Sequence, residues 1–119
     1  MPMRAPLLTA VLLLALVPTA RADAPGGFTD CAKAATPDEK AICASVELAQ
    51  EDARMVTMFK IATGFVGMGA RGAIDDGQVA WLAKRHACKA DVSCLHDSYG
   101  IRIRELQKVL DDVKARGPF

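Results

Sequence analysis

At 119 residues and a formal net charge of +1, the chain is short enough for one domain and lacks the basic excess that phosphate binding demands. Nucleic acid is therefore excluded as an expected partner. The four cysteines are an even count, which in a short exported chain points to disulfides rather than free thiols.

The first 22 residues have the layout of a cleaved secretory signal. Arg4 supplies the positive start, Leu7 to Val17 is an uncharged and mostly aliphatic run, and Pro18 breaks it. Ala20 and Ala22 then place small residues where a signal peptidase reads, so cleavage is expected after Ala22. The run covers 11 residues. A spanning helix needs about 20, so a stable membrane anchor is not expected. Asp23 rather than Cys would start the mature chain, so no lipid anchor is expected either. Losing Arg4 and Arg21 takes the formal charge from +1 to −1 and leaves one domain over residues 23–119.

Cys31, Cys43, Cys88 and Cys94 all lie in that domain. Three pairings are possible. The local one, Cys31–Cys43 with Cys88–Cys94, is favoured because each pair encloses turn residues. A cross-pairing such as Cys43–Cys88 is the alternative. In the chain-entropy account each local link stabilises by about 2–3 kcal/mol.

In chain order, residues 23–30 read as a flexible lead-in in which Phe28 is placed to tuck against the core. Thr36-Pro37-Asp38-Glu39 is a capping box with proline at the first helical position, predicting a short helix over 37–43. Ser45 offers a second cap and predicts a longer helix over 46–65. Its inward stripe runs Leu48, Asp52, Met55, Phe59, Ala62, in steps of four and three. Gly64, Gly67, Gly69 and Gly72 follow closely. At about 1 kcal/mol each relative to alanine, they predict a mobile connection over 67–72. Asp75 or Asp76 is the expected cap of a third helix over 77–87, and 88–93 a tight polar turn. Ser93 is the expected cap of a fourth helix over 94–114, with the stripe Leu95, Tyr99, Ile103, Leu106, Leu110, Val113. Gly117-Pro118 ends it. No alternating β-branched run is present, so strands are not expected.

Cys31-Ala32, Glu39 with Ile42-Cys43, Leu48 and Asp52 form one block of a recognisable pattern. Gln78, Trp81-Leu82, Arg85 and Cys88 form a second, and Cys94-Leu95, Tyr99, Arg102-Ile103 and Leu106 a third. With these residues the chain resembles the LprI-like lysozyme-inhibitor family of exported bacterial proteins, over about residues 31–106. Departures are His86 where the family carries an acidic residue, Phe59 where it carries Tyr, the glycine-rich stretch, and the lack of a lipobox cysteine. The resemblance implies a four-cysteine helical domain that binds a protein partner such as a lysozyme, and whose matched residues are mostly architectural.

Individual residues sharpen these expectations. Asp52 falls inside an apolar stripe, and an unpaired buried carboxylate is costly, so a structural pair with Arg85 or Arg102 is expected to set helix register. His86, Cys88, Cys94 and His96 offer four soft ligands, but their spacing matches no common zinc motif and oxidation removes both sulfurs, so no metal is expected. Trp81 and Tyr99 are expected to anchor the junction between helices rather than to serve as a hot spot. Met55, Met58 and Met68 read as gap-fillers or as an adaptable surface. Asp75 and Asp76 at the glycine-rich stretch are the candidate partner contacts, since an acidic tip suits a basic enzyme cleft. No nucleophile–base pairing or phosphate cradle is visible, so neither an enzyme nor a cofactor is expected. The chain thus reads as a small all-α, disulfide-stapled bundle of about four helices, periplasmic or secreted, that binds protein. An inhibitor blocking a cell-wall hydrolase is the first reading. A structural or envelope-stress accessory protein of the periplasm is the alternative.

Overall fold

The structure, a computed structural model, describes residues 29–118. The expected signal peptide at 1–22, and Phe28 with the lead-in before Thr29, lie outside the described residues. Four helices follow one another: α1 (Pro37–Ala44), α2 (Val46–Gly64), α3 (Met68–Ala87) and α4 (Val92–Ala115). There is no strand among the described residues.

Each helix start has a local cause. At α1 the Glu39 carboxylate accepts from the Ala35 and Thr36 amides, at 2.8 and 3.0 Å, and Pro37 needs no amide partner. Burial alone would push the Glu39 carboxyl up, but the two amides hold it below the usual carboxylate range. Ser45 both ends α1 and caps α2, its hydroxyl accepting from the Leu48 amide at 3.2 Å. At α4 the expected cap is displaced. Asp91, not Ser93, accepts from the Cys94 amide at 3.0 Å, so the helix begins at Val92. Both residue types cap well, and Asp91 sits where the turn after Cys88 delivers the chain.

The largest departure from expectation is α3. The stretch 67–72 is not a mobile connection. Gly67 is the N-cap, and Gly69 and Gly72 lie inside a helix that starts nine residues before the expected position. Asp75 and Asp76 are therefore mid-helix residues and cap nothing. The glycine penalty is real but additive, and here it is opposed. Ala70 and Ala73 interleave the glycines with the best helix former. The Arg71 side chain donates to the Thr63 carbonyl at the end of α2, 2.9 Å away. Ile74 is the first residue of α3 to reach the core.

The chain reverses at 65–67 and again at 88–91. Consequently α3 runs antiparallel to both neighbours: Thr63 meets Arg71 and Met55 meets Gln78 on one side, while Cys88 meets Cys94 and Trp81 meets Ser98 on the other. The most extensive packing is between α2 and α4, with α1 folded back over α2. The stripes meet there. Leu48, Met55 and Ala62 of α2 and Leu95, Tyr99, Ile103 and Leu106 of α4 are buried, with Phe59 and Leu110 partly so. Val56 and Met58 widen the α2 stripe beyond the expected one.

Two disulfides staple this bundle, Cys31–Cys43 and Cys88–Cys94, with Cα–Cα separations of 5.6 and 5.5 Å. The first ties the segment before α1 to its last turn. The second closes the α3–α4 turn. Disulfides of this kind persist in oxidising surroundings. No helix among the described residues is long and apolar enough to cross a membrane.

Candidate functional site

The polar residues singled out from the sequence fall into two buried groups. Asp52 of α2, Arg85 of α3 and Tyr99 of α4 converge with Asp38 of α1 and Thr29. Asp52 accepts from the Tyr99 hydroxyl at 2.6 Å and from the Thr29 amide at 2.9 Å. Its carboxylate lies 3.8 Å from an Arg85 terminal nitrogen. That nitrogen also donates to the Thr29 hydroxyl at 3.3 Å, and Arg85 Nε donates to Asp38 at 3.2 Å. The guanidinium, only 2% exposed, thus stands between two carboxylates. Its central carbon also lies 5.7 Å from the Trp81 ring centre, within reach of the ring's quadrupole.

Electrostatics follow from this crowding. Burial alone would raise the Asp38 carboxyl. The adjacent Thr36 hydroxyl, then the His86 and Arg85 charges, more than reverse that and hold it below the usual range. His86 Nδ1 is 2.7 Å from Asp38. Tyr99 moves the other way. Burial, then the neighbouring Asp52 charge, push its phenol far above its ordinary value, so it stays a neutral donor.

Arg102 does not join this group, although the sequence left it as an alternative partner for Asp52. It donates to the Gln78 side chain at 2.8 Å, to the Ile74 carbonyl at 2.9 Å and to Glu105 at 2.9 Å. Gln78 in turn reaches the Met55 sulfur at 3.2 Å. Gly77 admits this arginine, since a Cβ there would lie 3.1 Å from its nitrogen. Trp81 is buried, donates to the Ser98 carbonyl at 2.9 Å and tilts against Tyr99 with ring centres 5.2 Å apart. These side chains tie three or four helices together, and their polar atoms are spent on one another.

Several participants were not legible as such. Thr29 fell in the expected lead-in, and Asp38 read only as a first-turn acid. His86 and His96 read as flanks of a staple, yet they bind Asp38 and Glu51 (3.0 Å), each joining α3 or α4 to another helix. With both sulfurs of the His-Cys-Cys-His pattern in a disulfide, that set offers no thiolate to a metal.

What faces outward is the α2–α3 end. Met68 is 91% exposed, and Ile61 and Phe65 are exposed beside it. The first two turns of α3, residues 68–73, are exposed throughout, and Asp75 and Asp76 are exposed after them. The methionines thus divide: Met55 and Met58 fill the core, while Met68 stands at the surface. No family model, curated protein or solved structure matches the chain.

Proposed function

We propose that the protein is an exported, non-enzymatic protein-binding module that acts like a lysozyme inhibitor, presenting its α2–α3 end to the cleft of a cell-wall hydrolase. The observation that carries this reading is the build of that end. The first two turns of α3, led by the exposed Met68, have no core contacts of their own, with Ile61 exposed near the end of α2 and Asp75 and Asp76 on the following turn. Inserting such an element gives apolar area at the centre and carboxylates against a basic rim, the division of labour of a specific interface. The buried polar groups support the same reading by acting as scaffold. They join α2 and α3 as far as Ile74, and the exposed turns beyond it, tied back to α2 by Arg71 alone of their side chains, present their outer surface to a partner. The matched cysteine, Trp-Leu and Arg positions of the resemblance fall on that scaffold.

The test is a lysis assay. The disulfide-bonded protein is added in micromolar excess to lysozymes of several types acting on cell walls. Inhibition of at least one type is expected, with Met68→Asp and the pair Asp75→Lys, Asp76→Lys each abolishing it while helix content stays unchanged. Undiminished lysis with every type removes the reading.

A further inference from the structure

The outer face of α3 carries a pattern that the partner-contact reading does not use. Between Asp76 and Lys84 its exposed residues are Val79, Ala80 and Ala83, with no polar side chain among them. A helix face turned to water ordinarily carries charged and polar residues. Val79 is 70% exposed, and on the adjacent helix Ile101 is 49% exposed. Ala80 and Ile101 line opposite walls of a groove of about 480 Å³ between α3 and α4, and Gly77 keeps the α3 wall low. This apolar face has no cover among the described residues.

The charges that bound the face point to what covers it. Asp76 and Lys84 stand four residues before and four after Ala80, on the same side of the helix. At about 12 Å along the axis they are too far apart to pair within one helix. Neither forms an ion pair among the described residues. A second α3 laid antiparallel across Ala80 brings Asp76 of each copy against Lys84 of the other, so one face supplies two oppositely charged contacts. The small residues follow the same symmetry. Gly77 falls opposite Ala83 of the second copy and Ala80 opposite Ala80, so the backbones can approach closely. Such a two-fold also brings like flanks together: the α4 side of one copy meets the α4 side of the other, and each Ile101 faces the opposing groove. Of the acids on that side, Glu105 is held by Arg102 at 2.9 Å. Asp97 lies at the level of Lys84, between the Trp81–Ser98 bond and the Cys88–Cys94 link.

We propose that this face pairs with a second copy of the chain, as an antiparallel two-fold dimer centred on Ala80. A contact of this kind is self-complementary and closes at two copies. An unrelated protein has no reason to match a charge pattern that mirrors itself. A stable interface buries about 800 Å² on each partner. A few helical turns and one side chain of α4 supply less than that, so the dimer is weak, with a Kd on the order of 100 µM.

Sedimentation equilibrium of the disulfide-bonded protein, from about 10 µM to about 1 mM at low ionic strength, tests this. A monomer–dimer equilibrium is expected, weakened by added salt. Asp76→Lys and Lys84→Asp each weaken self-association by about tenfold or more, since both contacts turn repulsive. Mixed in equal amounts, the two variants restore it as a heterodimer, in which each contact again joins opposite charges. Ala80→Arg, at the two-fold, leaves a monomer with unchanged helix content. A wild type that stays monomeric at every concentration overturns the proposal and leaves the face to a different protein. Dimers that survive Ala80→Arg or the single charge changes, or a mixture that yields no heterodimer, overturn it as well. Lysozyme inhibition is read separately, because Asp76 belongs to both surfaces but Ala80 and Lys84 to this one alone. Ala80→Arg removes the dimer and leaves inhibition of lysis as it was, and Met68→Asp does the reverse.

Discussion

Arg85 sits within ion-pair distance of both Asp38 and Asp52, and all three are almost fully buried. Removing the guanidinium leaves two carboxylates in the interior without their shared cation, so Arg85→Met is expected to cost about 3–5 kcal/mol in urea unfolding. Asp38 adds a pH dependence whose sign is fixed. Its folded pKa lies below the ordinary 3.8, so its contribution is present above that value and is lost as pH falls through the lower folded value. Unfolding midpoints of the wild type and Asp38→Asn, measured from about pH 6 to about pH 2, should converge at the acid end. A gap that stays constant would mean the carboxylate charge is not what stabilises. The pairing of Asp52 with an arginine was legible because a carboxylate in an apolar stripe must be compensated. The choice of Arg85 over Arg102 was not, because both lie on helix faces turned to the core and only the tertiary arrangement brings Asp38 and Thr29 to one of them.

At the level of elements, the helices with a recognisable cap were legible nearly to the residue, because Glu39 and Ser45 act on amides within four residues of themselves. The start of α3 was not. Propensity alone melts residues 67–72, whereas the Arg71–Thr63 bond and the burial of Ile74 are made with groups that local sequence does not place. The candidate contacts Asp75 and Asp76 shifted with it, from caps on a loop to exposed mid-helix positions, though they remain near the projecting end. This cost is still carried by the folded protein. A Cβ at Gly69 or Gly72 would meet nothing within 4 Å. Gly69→Ala and Gly72→Ala are each expected to stabilise by about 0.5–1 kcal/mol, read as a higher urea midpoint with an unchanged slope. If the first turns of α3 serve a partner through their pliancy, the same substitutions change the inhibition assay as well, which makes the pair of readouts informative together.

Across the whole molecule the two staples are not equivalent. Cys31–Cys43 spans 12 residues of sequence and Cys88–Cys94 only 6. Loop-closure entropy therefore favours the first, but by only about 0.5 kcal/mol, since the dependence on length is logarithmic. The structural setting widens the difference. Cys31 holds the segment that carries Thr29, and Thr29 gives its amide to Asp52 and its hydroxyl to Arg85. Without that link the segment is fixed only by its own hydrogen bonds, and when it swings away Asp52 loses a donor and the buried charges are opened to water. The Cys88–Cys94 link, by contrast, closes a turn whose helices are also joined by Trp81 to Ser98 and by Arg102 to Gln78 and Ile74. The double variant Cys31→Ala, Cys43→Ala is thus expected to lose about 3 kcal/mol or more, and Cys88→Ala, Cys94→Ala less. Amide exchange distinguishes the causes. If the first link matters through the network, its loss should speed exchange at the Thr29 amide and around Asp52 far more than in the last turns of α4. Uniform acceleration would assign the whole effect to the unfolded chain.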